Sequence, residues 1–415
     1  MNRRARLDIA IVGGGVVGAA CALSLAKLGL EVALIEGREP AHWSAGTPDL
    51  RVYAFAPDNA ALLDGLGVWD SVRSARAQAY RRMRVWDASG GGELSFDADM
   101  LGRDQLGWIV ENNLLAERLW AALPAAGVRL HCPARVESME QDPSTSSGQA
   151  PSTSSGQAPS TSSGQAGGVR LRLDDGTRVE ARLAIAADGA DSTLRRLAGL
   201  QVSSHDYQQR GVVAFVETEK SHELTAWQRF LPAGPLAFLP FVDGRSSIVW
   251  TLPNEEADRV LALKDEAFDR ELTGAFEARL GQARVVSARA AFPLRRQLAD
   301  AYVSGKVLLV GDAAHVVHPL AGQGVNLGLR DVARLRDAIA DAQSRRVDWS
   351  SAHRLARWSR ECRSENAAAA YAFDGINRVF SNDEMHATLL RGFALGLAGK
   401  LPPLANLFWR KASGL

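Results

Sequence analysis

The sequence predicts an α/β fold: a discontinuous domain built on a parallel sheet, interrupted by a mixed β-sheet domain and followed by a C-terminal helical segment. Three observations predict it. A βαβ unit with a glycine-rich turn occupies residues 7–36. From Arg210 to Ala291 the texture changes to β-rich segments. It reverts at Lys306-Val-Leu-Leu-Val-Gly-Asp, a buried strand running into a second glycine-bearing turn.

In LDIAIVGGGVVGAACALSLAKLGLEVALIE, residues Ile9, Ile11 and Val12 form a buried strand and Ala19 to Leu28 a helix. Gly29 closes that helix, and Val32 to Ile35 form the next parallel strand. Between strand and helix lies Gly13-x-Gly15-x-x-Gly18. The first glycine permits the tight turn, the second lets a pyrophosphate approach the backbone, and the third allows close helix–strand packing. The helix N-terminus then faces the phosphates. Glu36 ends the second strand, placed to accept hydrogen bonds from a ribose. Strand, helix and acid together point to a Rossmann-like dinucleotide site rather than to a turn packed for its own sake. Arg3, Arg4 and Arg6 before the apolar run Ile9–Leu25 mimic a secretory signal, but the glycines would interrupt a signal helix. No breaker-free apolar stretch reaches the roughly 18 residues of a spanning helix.

Helical patterns follow at Leu62–Trp69 and Asn113–Leu123, and a hairpin at Val169–Leu173 and Arg178–Ile185 across Asp174-Asp175-Gly176-Thr177. Before the hairpin, PSTSSGQA occurs three times in tandem from Pro143 to Ala166. It has no apolar face and is expected to be a disordered surface loop without catalytic importance. The β-rich region holds strands at Val212–Glu217, Leu236–Phe241 and Ser247–Leu252. One helix there places Val260, Leu261, Phe268, Leu272, Phe276 and Leu280 largely on one face. The expected partition is therefore 1–75, 107–200 and 293–345 for the nucleotide-binding domain. Residues 76–106 and 201–292 form the inserted domain, and 346–415 the helical segment.

Lys plus Arg is 48 against 47 for Asp plus Glu, a balance that gives no reason to expect nucleic acid as a partner. Cys21, Cys132 and Cys362 lie far apart with no CxxC pair, which suits a reducing, cytoplasmic setting and argues against a disulfide framework or structural zinc.

Two further segments specify the dinucleotide. Ala187-Asp188-Gly189-Ala190-Asp191-Ser192 ends a strand and enters a helix carrying Arg195 and Arg196. Val310-Gly311-Asp312-Ala313-Ala314-His315 ends another. GxGxxG, then Asp-Gly, then Gly-Asp, in this order, resembles the flavoprotein aromatic hydroxylases of the para-hydroxybenzoate hydroxylase type. Asp49-Leu50-Arg51-Val52, Leu66-Gly67-Val68-Trp69-Asp70, Ile109-Val110-Glu111-Asn112 and the run His318-Pro319-Leu320-Ala321-Gly322-Gln323-Gly324-Val325-Asn326-Leu327-Gly328 look like one branch, the ubiquinone-biosynthesis hydroxylases. The resemblance covers nearly the whole chain except the PSTSSGQA insert.

The resemblance implies an FAD-dependent monooxygenase with one FAD per chain. Gly13, Gly15, Gly18 and Glu36 would hold the ADP half, Arg51 the pyrophosphate, and Asp312 the ribityl and pyrophosphate region. Asp188 would also belong to the cofactor site. Asn112 stands where related hydroxylases carry an arginine near the cofactor. The Pro319–Asn326 loop, with Gly322, Gln323, Gly324 and Asn326, would lie along the isoalloxazine ring, and His318 beside it is a candidate substrate contact. NAD(P)H or another electron donor would reduce the flavin, and dioxygen would be activated as a flavin hydroperoxide attacked by a polyprenylphenol ring. No side-chain nucleophile is demanded, and no catalytic residue is named. Physically, the loop glycines leave backbone N–H groups uncovered, and a helix starting near Val325 would turn its positive end toward a reduced, anionic flavin.

His315 and His318 lack the further ligands of a metal site; a histidine bonded to loop backbone is the expectation. There is no second GxGxxG, no CxxxxC pair and no WxWxIP, since Trp108 is followed by Ile109-Val110. Another flavin oxidoreductase on the same scaffold, such as a polyprenyl reductase, and a non-catalytic nucleotide-binding scaffold stay open. The ring carbon also stays open: the Arg51 and Trp69 neighbourhood resembles one ring hydroxylase, Leu236–Trp250 and Ser287–Pro293 a sister enzyme. After Glu384, His386, Arg391, Lys400, Arg410 and Lys411 alternate with apolar residues and no acid. That pattern suits peripheral docking on the inner face of a membrane or on a ubiquinone-biosynthesis complex, or equally a helix packed on the body.

Overall fold

A computed structural model describes residues 6–88, 93–142, 167–317 and 324–380. The first sheet runs in the order Val303–Ser304, Val307–Leu309, Arg178–Ala186, Leu7–Val12, Val32–Ile35, Arg129–His131. Its middle is parallel: Ile9 stands opposite Leu183 on one side and Val32 on the other. Both faces are covered, so LDIAIV and VALI are buried almost throughout, as continuous apolar runs require. The helix Val16–Ala26 packs against this sheet, and Gly29 closes it with φ +81°. The strand after Leu7–Val12 is added on one side and Arg178–Ala186 on the other. A crevice therefore opens at the carboxyl ends of these two strands, where ligands bind in doubly wound sheets.

The hairpin forms in the expected place, with Leu171 opposite Val179. Val136–Gln141 pairs with its first strand, Gln141 opposite Val169, and Asp142 and Gly168 exchange hydrogen bonds at the open end. The PSTSSGQA array bridges those two residues and lies outside the described residues.

The second sheet runs His315–Val316, Ala290–Ala299, Val202–Thr218, Ser246–Pro253, Gly234–Pro240, Thr225–Leu231, Arg82–Asp87, Glu93–Asp97. Val212, Ala214, Leu236, Phe238 and Trp250 on one face are buried with Phe268, Leu272 and Phe276. Val213, Ala237, Leu239 and Val249, one residue out of phase, face the first sheet's crevice. A smaller sheet, Val52–Phe55, Gly107–Glu111 and Ala77–Tyr80, lies between.

Several elements differ from expectation. Leu62–Trp69 is no single helix: Pro57–Gly65 ends there and Trp69–Arg76 begins, because Gly67 turns the chain with φ +75° and bonds back to Asp64. The helix expected around Val260–Leu280 is two, Asn254–Leu261 and Asp265–Ala275. Acid pairs, Glu255-Glu256 and Asp265-Glu266, sit at both N-termini, where the helix dipole favours them. Val212–Glu217 is the end of a 17-residue strand, Val202–Thr218, whose polar first half pairs with Ala290–Ala299. The C-terminal segment is helical over Ala352–Phe380, and no described helix is long and apolar enough to cross a membrane. The basic residues beyond Glu384 lie outside the described residues.

Candidate functional site

The crevice deepens into a cavity of about 1080 Å³ between the parallel sheet and the second sheet. That is just above the roughly 300–1,000 Å³ range of small-molecule sites. Its first wall is the glycine turn. Gly13 has φ +104°, and a Cβ there would stand 2.3 Å from the Ala187 carbonyl oxygen, so the turn is wedged against the neighbouring strand end. A Cβ on Gly18 would lie 1.9 Å from the Gly13 carbonyl oxygen. Gly15 is the opposite case: it is exposed, and nothing lies within 4 Å of the position its Cβ would take. It caps the helix Val16–Ala26, whose first N–H groups receive no side-chain cap. The three glycines thus have different duties, two for packing and one for open approach.

Gly14, which sequence reasoning left without a role, is equally constrained: its Cβ would meet Trp120 at 2.5 Å, and Trp120 Nε1 donates to its carbonyl at 2.6 Å. Its N–H donates to Glu36 Oε2 at 2.6 Å, while Arg38 N–H donates to Oε1 at 3.2 Å. Glu36 therefore braces the turn as well as lining the cavity.

At the neighbouring strand end, Asp188 accepts from the Ser192 hydroxyl, Thr193 N–H (2.7 Å) and Leu194 N–H (3.1 Å). Its carboxylate caps the helix Thr193–Leu197, and its share in the cavity is to shape the turn. Buried Arg195 joins this turn to the next, donating to Ala190 O at 2.7 Å and Ala313 O at 2.8 Å. Asp312 lines the cavity and makes no hydrogen bond or ion pair among the described residues, leaving its carboxylate for a ligand.

Arg51, just before the strand Val52–Phe55, and Asn112, which starts the helix Asn112–Ala122 after the paired strand Gly107–Glu111, line the same wall. Arg51 stacks on Tyr53, whose hydroxyl donates to Asn112 Oδ1 at 2.9 Å and is pushed up to about 12 by burial. Behind them Glu111, fully buried, accepts from Asp49 N–H (2.8 Å) and Trp43 Nε1 (3.0 Å) beside Arg76 at 3.4 Å. Glu111 thus holds the segment that presents Arg51, a duty its place in Ile109-Val-Glu-Asn did not reveal.

The structure gives Asn326 a further duty and corrects one expectation, that of His315. Asn326 is fully buried, and its side chain donates to Ala54 O (2.8 Å) and accepts from Ala56 N–H (3.0 Å) and Asn59 Nδ2 (2.9 Å). It clips the start of helix Gly324–Ser344 to Val52–Phe55 and Pro57–Gly65; Gly324 and Val325 line the cavity instead. Among the described residues the His315 ring meets a carboxylate rather than loop backbone. Its Nε2 lies 2.6 Å from Asp331 Oδ2, and Asp331 also accepts from Gly311 N–H (3.1 Å) and Asn366 Nδ2 (2.9 Å). Burial opposes a charge on the ring, but Asp331 outweighs it, so the His315 pKa is raised. His318, Pro319, Gly322 and Gln323 lie outside the described residues.

The residues fit FAD: an uncapped helix start behind an open glycine for a pyrophosphate, an acid beside it, and an unpaired carboxylate farther along. The comparisons agree. The FAD binding domain family model matches residues 6–371. Ubiquinone hydroxylase UbiL of Rhodospirillum rubrum is 37% identical over 411 residues, covering 98% of this chain and 89% of that protein. The 3-demethoxyubiquinol 3-hydroxylase of Escherichia coli K12 is 36% identical over 410 residues, 98% of each. Among solved structures, p-nitrophenol 4-monooxygenase of Pseudomonas putida superposes with a TM-score of 0.73 at 21% identity over 98% of both chains. The chain belongs to the FAD binding domain family and, within it, stands with the ubiquinone-biosynthesis hydroxylases, which makes it an FAD-dependent monooxygenase.

Proposed function

We propose that the protein hydroxylates the aromatic ring of a lipophilic polyprenylphenol or quinol intermediate of ubiquinone biosynthesis. The supporting observation is the composition of the cavity. One wall carries the nucleotide-binding turns; the other, which includes Val213, Ala237, Leu239 and Val249, is largely apolar and suits an aromatic ring with a hydrocarbon tail. Gly13, Gly15 and Gly18 would seat the pyrophosphate, with Glu36 near the ribose and Arg51 supplying positive charge. Asp312 and the start of helix Gly324–Ser344 would face the far end of the cofactor, with Asn112 beside Arg51. When bound, FAD supplies the redox and oxygen chemistry, with NAD(P)H or another donor as reductant and dioxygen as co-substrate. The chain's own groups orient the ring and exclude water.

The test is product analysis of FAD-loaded protein given a prenylphenol, NAD(P)H and ¹⁸O₂. One labelled oxygen on the ring is expected. A product with a reduced prenyl double bond and no label would overturn the reading in favour of a reductase. The basic, apolar segment after Glu384 is proposed to dock on anionic membrane or a ubiquinone-biosynthesis assembly at the cytoplasmic face. Sedimentation with anionic vesicles at low salt, reduced by charge reversal at Arg391, Lys400, Arg410 and Lys411, is the expected result; indifference to salt and reversal would end that idea.

A further inference from the structure

We propose that Gln228 positions the substrate ring by hydrogen-bonding one of its oxygens, an inference that rests on the hydroxylase reading above. Gln228 sits in the strand Thr225–Leu231, is 7% exposed and lines the cavity. Its amide has no hydrogen-bond partner among the described residues. Along its row of the sheet the neighbours are apolar: Ala237 directly opposite, then Val249, then Val213.

The next residue on the same strand faces the other way. Arg229, turned to the opposite face and 8% exposed, donates to Ala275 O at 2.6 Å and to Glu277 Oε1 at 2.6 Å. The Gln228 amide opens on the cavity from an otherwise apolar row, where it is free to pair with a polar group of what enters. The carbonyl accepts from a phenolic hydroxyl, a contact that the corresponding methyl ether cannot make. Neither end ionises, so the contact orients the ring without taking its proton. Orientation decides which ring carbon meets the activated oxygen and how many turnovers are productive. A site built this way also discriminates against a ligand that lacks the matching group.

The test uses FAD-loaded protein titrated with 2-geranylphenol and with its methyl ether, 2-geranylanisole, followed by the change in flavin absorbance. Wild type is expected to bind the phenol about tenfold more tightly than the ether, ~1.4 kcal/mol. In Gln228→Met, of matched length, that preference should shrink to within about twofold while bound FAD and ether affinity are retained, and peroxide per product should rise. Gln228→Asn, which keeps the amide but withdraws it, should lose the preference too, and serves if the methionine variant does not fold. Undiminished preference in either folded variant, or equal binding of the two probes by wild type, overturns the assignment of Gln228 and leaves the hydroxylase reading standing. Failure of both probes to perturb the wild-type flavin removes that reading, and the role of Gln228 with it.

Discussion

The two walls of the cavity are built by opposite strategies. The nucleotide wall is made of consecutive residues at strand ends, where Gly13, Gly14 and Gly18 leave no room for a Cβ. The sheet wall takes alternate residues from separate strands, Gln228, Ala237, Val249 and Val213, brought into one row only by pairing register. A wall of backbone responds to substitution all or none; a wall of side chains responds by degrees.

The sharpest break in the comparison should come from Gly18→Val. The new side chain collides with the Gly13 carbonyl rather than with a movable group, so apoprotein stability should fall by more than about 4 kcal/mol, or no folded protein should accumulate. Chemical denaturation checks it; a near-wild-type midpoint would mean that the turn relaxes.

Asp331→Asn should follow, at about 3 kcal/mol or more, by breaking a buried pair beneath the Gly311–Asp312 turn. The sign of its pH dependence is definite. His315 has its folded pKa raised above 6.5, so the pair's contribution is full below the unfolded value and is lost as pH rises through the folded one. The stability gap between wild type and variant should therefore narrow with increasing pH above about 6.5. Thermal melts across that window measure it, and a constant gap would assign His315 a neutral role.

Gly15→Val tests the open side of the same wall. Its Cβ meets nothing, so apoprotein stability should stay within about 1 kcal/mol of wild type. Flavin absorbance, however, should vanish from the purified protein; full retention would sink the placement of the pyrophosphate. On the sheet wall, Ala237→Leu should keep FAD and weaken phenol binding only about tenfold, since added bulk can be shared among neighbouring side chains. Complete loss of either ligand would erase the distinction between the walls.

The smallest effect is expected from deleting 143–166 and joining Asp142 to Gly167 through a short turn. Gln141 and Val169 are already paired across the gap, so stability should be unchanged or slightly higher. A large drop in melting temperature would show that the array packs.

This contrast also explains what was legible in the sequence. The parallel core, the hairpin and the turns at Gly13–Gly18, Asp188 and Asp312 announce themselves because each is written in neighbouring residues. Gln228 could not be seen: its row depends on four strands and their register, which periodicity alone does not specify. The structural duty of the Asn326 side chain was not legible either, because its partners Ala54, Ala56 and Asn59 lie some 270 positions away in the chain. The polar half of Val202–Thr218 hid a strand whose partner, Ala290–Ala299, is equally remote.

That long strand has a mechanical consequence. Val202 stands opposite Ala299 and packs on the core of the parallel sheet, while Gly211 and Val213 of the same strand floor the cavity. The two walls are thus joined by a hydrogen-bonded ribbon rather than by a linker, interrupted only where the register shifts between Asp206 and Gln209, with Gln208 at φ +55°. A register shift of this kind bends the strand and increases its twist locally, so the angle at which the two walls meet is written into backbone pairing rather than into a flexible connection.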